Sequence, residues 1–436
     1  MSDGLVSGNL GPSGPYAPRT VDGELDDLVP YLPAVALEGA KGVGKTATAT
    51  RRVRSAFALD VPAQREVLSA DPAILDLGEH PVLLDEWQRY PPIWDYVRRR
   101  VDAGAAAGSY LLAGSALPAE DPAHSGAGRI VSVRMRPLSL AERQLGGPAV
   151  SLGAMLSGSR PAISGTTSIA LRDYAEEIVA SGFPGIRRLE GRARRAQLDS
   201  YLARVLEREF PEQGLTVRRP ETLRAWLAAY AAATATTTSY NAILDAATPG
   251  ESDKPARSTT TGYRDVLTQL FLLDPVPGWV PSRNQFDRIG QAPKHHLADP
   301  ALAARLLGVD LGALLQGESG ALAVPRDGTL LGALFESLVT LSVRVYAQAS
   351  EAATRHLRLR NGTHEIDLIV ERPDHRVVAI EVKLTATVDN ACVQHLVWLK
   401  NQIGDDLLDA AVITAGQRAY RRPDGIAVIP AALLGP

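Results

Sequence analysis

The sequence predicts an α/β protein: a parallel-sheet domain built around a phosphate-binding loop, a helical and mixed middle, and a second α/β domain at the C-terminal end. Three observations predict this. GAKGVGKT (39–46) stands between a short apolar run and a helical stretch. Short apolar runs then alternate with helical periods from Leu32 to about Leu145. The same alternation returns over 328–436.

Residues 1–20 are rich in Gly, Pro and Ser and read as a loose leader. The phosphate-loop domain spans 21–150. In it AVALEG (34–39) reads as a buried strand and Lys45 to Leu59 as the helix that follows. PVLLDEW (81–87), SYLLAGSA (109–116) and RIVSVRM (129–135) read as further strands, with a helix at 93–108. Residues 146–168 look like a connection. The arginine-rich helical periods of 168–235 read as a helical lid. In 236–310, TSYNAILDAA is a helix, TPGESDKPA a turn and STTTGYRDVLTQLFLL (258–273) a second helix, followed by strands near Trp279 and Lys294–Leu297. That order predicts a winged-helix-like unit. Residues 328–436 read as a helix (330–347), strands near 354–360, 364–371 and 376–384, a helix (389–403) and a strand at 410–414.

Composition narrows the classes. With 45% apolar and 22% charged residues in 436, the chain is globular and long enough for two or three domains. Its net charge of −3 excludes a polycation, so any DNA contact must come from a local patch. Cys392 is the single cysteine, which rules out an intrachain disulfide and fits a reducing compartment. No apolar run reaches the roughly 18 residues that span a bilayer, and the N-terminus lacks a secretory pattern. The expected location is the cytoplasm, with no membrane partner. Of the 46 basic residues only Lys41, Lys45, Lys254, Lys294, Lys383 and Lys400 are lysine. Against that arginine bias, a retained lysine marks a place that needs a compact ammonium rather than a planar fork.

The loop Gly39-Ala40-Lys41-Gly42-Val43-Gly44-Lys45-Thr46 satisfies G-x-x-x-x-G-K-[ST] in a strand–loop–helix context. Gly39, Gly42, Val43 and Gly44 would turn backbone amides toward the phosphates at a helix N-terminus. Lys45 would reach the β/γ oxygens, and the Thr46 hydroxyl would hold Mg²⁺. The apolar strand ending in Asp85-Glu86 supplies the matching acids: Asp85 for the metal, Glu86 to polarise the attacking water. Ser115, at the end of the next strand, sits where a polar γ-phosphate sensor is placed. No guanine-reading Asn-Lys-x-Asp is present, so ATP rather than GTP is expected.

Near the C-terminus a second constellation appears. Glu336 falls on a helix, Glu365 and Asp367 on one strand, and Glu381-Val382-Lys383 on the next. This is the element order of the PD-(D/E)xK nucleases. Period two puts Glu381 and Lys383 on one face. Asp367 on a neighbouring antiparallel strand could share a divalent ion, Mg²⁺ or Mn²⁺, with Glu381 and Glu336. Lys383 would then stabilise developing phosphate charge. The plain alternative is an amphipathic strand with exposed charges. His295-His296 and His356/His364 have no zinc spacing.

The segments LEGAKGVGKT, VLLDEWQ, YLLAGSA, GAGRIVSVRMRPLSLAE, SGFPG and APKHHLADPALA, in that order, resemble a large prokaryotic family of AAA+-type ATP-binding proteins of the ASCE class. Their C-terminal domain has no settled biochemical role. The resemblance covers about 15–436. It implies nucleotide roles for Lys45, Thr46, Asp85 and Glu86, and for Arg129 an arginine-finger or sensor role; a solvated arginine at a strand start is the alternative. Residues 328–436 also resemble the restriction-endonuclease-like fold.

Arg187, Arg188, Arg192, Arg194 and Arg195 could grip phosphates, or form a solvated helix face. Ser258, Thr259, Thr260, Thr261, Tyr263 and Arg264 would lie on the groove helix of the winged helix. Two functions follow. One is an Mg²⁺-dependent ATPase acting with DNA through a nuclease-like domain, with DNA cleavage open. The other is an ATP-dependent switch whose nuclease-like fold is catalytically inactive. ATP, DNA and further copies of the chain are the expected partners.

Overall fold

The computed structural model describes residues 16–116, 126–215, 219–248, 257–282, 291–316, 330–359 and 362–436. The leader's first fifteen residues, most of the turn at 248–256 and Lys254 lie outside the described residues. Two compact units emerge. The first holds the chain up to Arg136 with 208–216 and 265–271, and the second holds the remainder.

The first unit is a five-stranded sheet of β1 (Ala34–Glu38), β2 (Ser55–Ala58), β3 (Val82–Asp85), β4 (Tyr110–Gly114) and β5 (Val131–Arg134), in the order β2-β3-β4-β1-β5. Every pairing is parallel. The continuous burial of AVAL, VLLD and YLLAG is what such a sheet requires, since both faces are covered. Leu68, Ile93, Trp94 and Val97 from the connecting helices close over Ala36, Leu84 and Leu112. Each buried large side chain contributes about 1.5–3 kcal/mol. The registers align Glu38 with Gly114 and Asp85 with Ala113, so the loops after β1, β3 and β4 meet at one sheet edge.

Two expectations are corrected here. The helix after the phosphate loop is short, Lys45–Ala49 with a further turn to Arg52, and Ser55–Ala58 is a strand paired with β3. Residues 16–20 are not loose. Arg19 is buried and donates to the carbonyls of Val43 (2.8 Å) and Arg136 (2.6 Å), and Tyr16 bonds Asp22 and Thr48.

The second unit begins at Pro137, not after 150. Its main sheet has eight strands in the order β7-β13-β14-β12-β11-β10-β9-β8. These are β7 (Gly165–Thr166), β8 (Gly278–Trp279), β9 (Ala353–Arg358), β10 (Glu365–Glu371), β11 (Val377–Lys383), β12 (Leu407–Thr414), β13 (Arg418–Arg421) and β14 (Ala427–Pro430). β9, β10 and β11 form an antiparallel meander, and β12 runs parallel to β11 after the crossover helix Gln394–Ile403. Leu396 and Leu399 of that helix pack on Ile369, Ala379 and Val412. The supposed connection 146–168 is structured: Gly165–Thr166 pairs with β13, and Val150–Ser151 with Leu434–Gly435.

The helix Leu330–Ala349, whose apolar run is interrupted by Glu336 and Arg344, is long and apolar enough by length and composition to cross a membrane, with a mean hydropathy of 1.4. It is a core helix whose Leu334, Phe335, Leu338, Val343 and Tyr346 are buried. The 236–310 region does not stand apart. After the helices Tyr240–Ala247 and Arg257–Gln269, the chain pairs Leu273 with Leu297 and Val276 with Lys294, and extends through Gly278–Trp279 onto β9 as the edge of the C-terminal sheet.

Candidate functional site

The phosphate loop owes its shape to its glycines. A side chain at Gly39 would meet the Met135 carbonyl oxygen at 2.1 Å, and Gly42 and Gly44 take φ of 83° and 105°. Val43 is fully buried beneath the loop. Lys45 opens the following helix, and its ammonium donates to the carbonyls of Gly39 (2.8 Å) and Ala40 (3.1 Å). Burial pushes Lys45 down to about 8, against the pull of Glu86 and Asp85. The Thr46 hydroxyl lies 3.0 Å from both Asp85 oxygens. Burial and the neighbouring Glu86 raise Asp85 to about 6. One hydroxyl facing one carboxylate, beside a phosphate cradle, is a donor set that suits Mg²⁺, which keeps several waters and takes the rest from the nucleotide.

Glu86 follows β3 with φ 52°, a left-handed conformation uncommon outside glycine, which turns its side chain out of the strand's alternation. Its carboxylate accepts from Gln88 Nε2 and from Ser115 Oγ at 3.1 Å, and Gln88 also donates to Ser115. β4, which carries Ser115, lies between the phosphate-loop strand and the acid strand, so the sheet order alone brings Ser115 between Lys45 and Glu86. A cavity of about 80 Å³ beside them is lined by Lys41, Gln88, Arg89, Ser115, Glu209 and Glu212. Lys41 pairs with Glu209 at 3.0 Å, and Arg89 with Glu212 at 3.1 Å.

Arg129 is not brought to this edge. Parallel pairing of Val35 with Val131 sets residue 129 level with Pro33, roughly 20 Å from the loop at strand rise. There it pairs with Asp102 at 2.8 Å. Within its own chain Arg129 therefore lies away from the phosphate loop. Arg134, opposite Glu38 at the C-terminal end of β5, is the arginine at the right end of the sheet. Its guanidinium lies 4.0 Å from the Phe271 ring centre and adds to the downward push on Lys45. Sequence reading missed it, although period two counted from Ser132 leads to it.

The C-terminal carboxylates do converge. Asp367 and Glu381 lie at facing positions one residue beyond the Leu368–Ile380 pair of the antiparallel β10–β11 ladder, close enough for each charge to act on the other. Asp367 also accepts from the Val382 N–H at 2.9 Å, and Lys383 reaches Glu381 at 3.1 Å. The residue missed by sequence is Lys294. It is fully buried, and its ammonium lies 2.8 Å from Glu336, 3.0 Å from Asp367 and 3.5 Å from Glu365. Burial works against its charge, but the three carboxylates raise it far above the ordinary lysine value. Burial would likewise raise Asp367, yet Lys294 and Lys383 hold it well below the usual carboxylate range. Glu336 is pushed up to about 7 by burial and Asp367, and Glu381 rises well above normal for the same reasons. A divalent ion does not fit this arrangement: the point where Glu336 and Asp367 converge is filled by an ammonium. Among the described residues no set of three His, Cys, Asp or Glu side chains is arranged for a metal.

The proposed DNA-contacting residues are divided. Arg187 is paired with Glu177, and Arg194 donates to the Leu189 carbonyl, whereas Arg188, Arg192 and Arg195 are exposed. Of these, Arg195 borders a cavity of about 520 Å³ that is also lined by Arg187, Arg194 and Arg305, the last held by Asp199. On the helix Arg257–Gln269, Ser258, Thr259 and Thr261 are exposed and Thr260 half-buried. Tyr263 is in the core against Trp226, and Arg264 lies over Tyr240, so these two are removed from the groove-facing set.

Residues 32–144 match the AAA domain family, residues 171–312 a domain of unknown function (DUF8612), and residues 331–434 another (DUF4143). The chain is 25% identical over 409 residues to the uncharacterized proteins Mb2031c of Mycobacterium bovis and Rv2008c of Mycobacterium tuberculosis, covering 92% of this chain and 80% of each. A solved structure, the Walker-type ATPase PABY2304 of Pyrococcus abyssi, aligns with a TM-score of 0.41 at 14% identity, over 68% of this chain and 99% of that one. So loose a structural likeness says nothing of activity. Residues 32–144 thus combine a match to the AAA domain family with a phosphate-binding loop at the edge of a parallel sheet.

Proposed function

We propose that the protein hydrolyses ATP with Mg²⁺ at the Gly39–Thr46 loop and works as an ATP-dependent switch, its C-terminal nuclease-like domain serving for binding rather than cleavage. The observation that carries the ATPase reading is the contact of Thr46 with Asp85, one residue before a Glu86 held by Ser115 and Gln88. On binding, Lys45 exchanges the carbonyls of Gly39 and Ala40 for the β/γ oxygens. Thr46 and Asp85 would hold Mg²⁺, which would offset charge on the phosphates. Glu86 takes a proton from water as that water's oxygen bonds the γ-phosphorus. The bond from the γ-phosphorus to the β–γ bridging oxygen breaks, leaving ADP and phosphate. Lys41–Glu209 and Arg89–Glu212 supply a route for the nucleotide state to reach the 208–216 segment, which continues a π-helical turn at Val205–Glu209.

DNA is the second reading. Exposed Arg188, Arg192 and Arg195 favour phosphate contact, and a winged-helix arrangement is supported by backbone bonds that join Ala235 and Thr236 to His295, and Val276 to Lys294. The restriction-endonuclease-like reading of the last domain rests on its helix–three strands–helix–strand order.

ATP turnover by the full chain tests the first reading. Lys45→Ala should remove most ATP affinity, and Glu86→Gln should keep binding while turnover falls about 10²–10⁴-fold. Normal ATP binding by Lys45→Ala would refute it. Incubation with linear, nicked and branched DNA, with and without ATP, reads DNA binding and cleavage separately. ATP-dependent binding without cleavage is the expected result.

A further inference from the structure

The C-terminal acid cluster contains an unusual element: one of only six lysines in the chain, fully buried, with its ammonium inside a ring of carboxylates. Its backbone is fixed from both sides, because the Lys294 N–H donates to Val276 and its carbonyl accepts from the Val276 N–H, each at 2.9 Å. The strand pair it belongs to is stitched to β9, where the His356 N–H donates to Pro277 and the His356 ring meets the Ala292 carbonyl at 2.9 Å. Lys294 is thus fixed through its own backbone pairing with Val276. It comes from the region matching DUF8612, while its partners Glu336, Glu365 and Asp367 belong to the region matching DUF4143, so neither region alone contains the completed site.

Charge explains why an ammonium belongs there. Glu336, Glu365, Asp367 and Glu381 brought together around a buried point repel one another, and a low-dielectric site must neutralise them or protonate them. The two ammonium groups supply the neutralisation. Lys294 sits between Glu336 and Asp367, Lys383 lies on Glu381, and Glu381 keeps one buried carboxylate oxygen with no hydrogen-bond partner. A divalent ion bound at this point would set two positive groups within contact distance in a buried site, a strongly repulsive arrangement.

We infer that Lys294 is the resident cation of this site, its ammonium taking the position a divalent metal ion would occupy between Glu336 and Asp367, so that the C-terminal domain works without a metal and latently holds a hard-cation site made of Glu336, Asp367 and Glu381. The inference is independent of ATP turnover at the phosphate loop. It also supplies a chemical reason for the proposed role in binding rather than cleavage. The charge ties the segment at Lys294 to the β10 carboxylates, so an exchange of Lys294 for metal would release that segment.

Mn²⁺ binding to the nucleotide-free full chain, followed by electron paramagnetic resonance, tests this. The unmodified protein and Asp367→Asn should bind Mn²⁺ alike, because the acid cluster takes none. Lys294→Met, which keeps the apolar stem, should gain one Mn²⁺ per chain, and Lys294→Met/Asp367→Asn should lose it again. If Lys294→Met does not fold alone, refolding with Mn²⁺ gives the same reading: recovery for the single variant and none for the double. The inference is overturned if Asp367→Asn lowers Mn²⁺ binding of the otherwise unmodified chain. It is equally overturned if folded Lys294→Met gains no ion, or if Mn²⁺ fails to improve its recovery relative to the double variant.

Discussion

Lys45 and Lys294 are both buried lysines inside phosphate-chemistry constellations, and they are satisfied in opposite ways. Lys45 donates to two neutral carbonyls, and burial pushes it down to about 8. Lys294 donates to carboxylates, which raise it far above its ordinary value despite complete burial. An ammonium held only by backbone dipoles has a much better partner in an incoming phosphate. An ammonium already among carboxylates has nothing to gain from one. The first site is therefore poised for a ligand, and the second is closed by its own side chain. The same residue type thus marks a binding site in one region and an internal ion pair in the other, and the acceptors decide which.

Stability measurements should break or sharpen this contrast most strongly. Lys294→Met leaves Asp367 and its neighbours buried without their cation and should cost about 3–5 kcal/mol at neutral pH. Because Lys294 and Lys383 depress Asp367, that contribution is present above the unfolded carboxylate value and lost on acidification. The deficit of the variant should accordingly shrink as pH falls below the ordinary aspartate value near 3.9. Lys45→Met in the empty protein should instead remain within about 1 kcal/mol of the parent, since it removes a desolvated charge held by two hydrogen bonds. Denaturant midpoints of the two variants at neutral and acid pH compare them directly. Equal losses would mean that the acceptors do not set the difference.

The pH dependence of nucleotide binding gives a smaller effect. Lys45 lies near 8 when empty and must be charged to hold phosphates, so binding takes up a proton above that value. ATP affinity should fall about tenfold between pH 7 and 9, and Lys45→Arg should flatten the profile, whatever its absolute affinity, because arginine stays charged throughout. Calorimetric titration across that range reads both. A flat profile in the parent would place Lys45 in an environment as wet as the surface.

How much of this was legible in the sequence follows from how local each feature is. The phosphate loop occupies eight consecutive residues, and its acids end one apolar strand, so a linear motif captured it. The β10–β11 pair was equally accessible, since a short turn forces the antiparallel pairing that sets Asp367 against Glu381. Lys294 was out of reach of motif reading because its partners lie 42 and 73 residues away and come from another segment. Its rarity among forty arginines was the available signal, and the retained-lysine argument pointed to it without naming its place. Arg129 shows the reverse error. A family step drew attention to a residue at the wrong end of a strand, where parallel register, not motif, determines what meets the phosphates. The strand Ser55–Ala58 was hidden because four small and mixed residues carry no period of their own and gain strand character from pairing with β3.

Ser115 offers the smallest test, and its sign is informative. Its hydroxyl donates to Glu86 and accepts from Gln88, and β4 places it between the phosphate loop and the acid strand. Ser115→Ala removes one hydrogen bond from the catalytic carboxylate, worth about 0.5–1.5 kcal/mol. If Ser115 aligns Glu86 toward the attacking water, kcat should fall about threefold to tenfold while KM for ATP stays nearly constant, because the interaction matters during proton transfer rather than in binding. If the hydroxyl instead restrains Glu86 in the empty protein, the same substitution should raise turnover, and Gln88→Ala should raise it further. Steady-state ATPase rates of the two single variants and their double separate the cases. Non-additive losses would identify Glu86, Gln88 and Ser115 as one aligned unit.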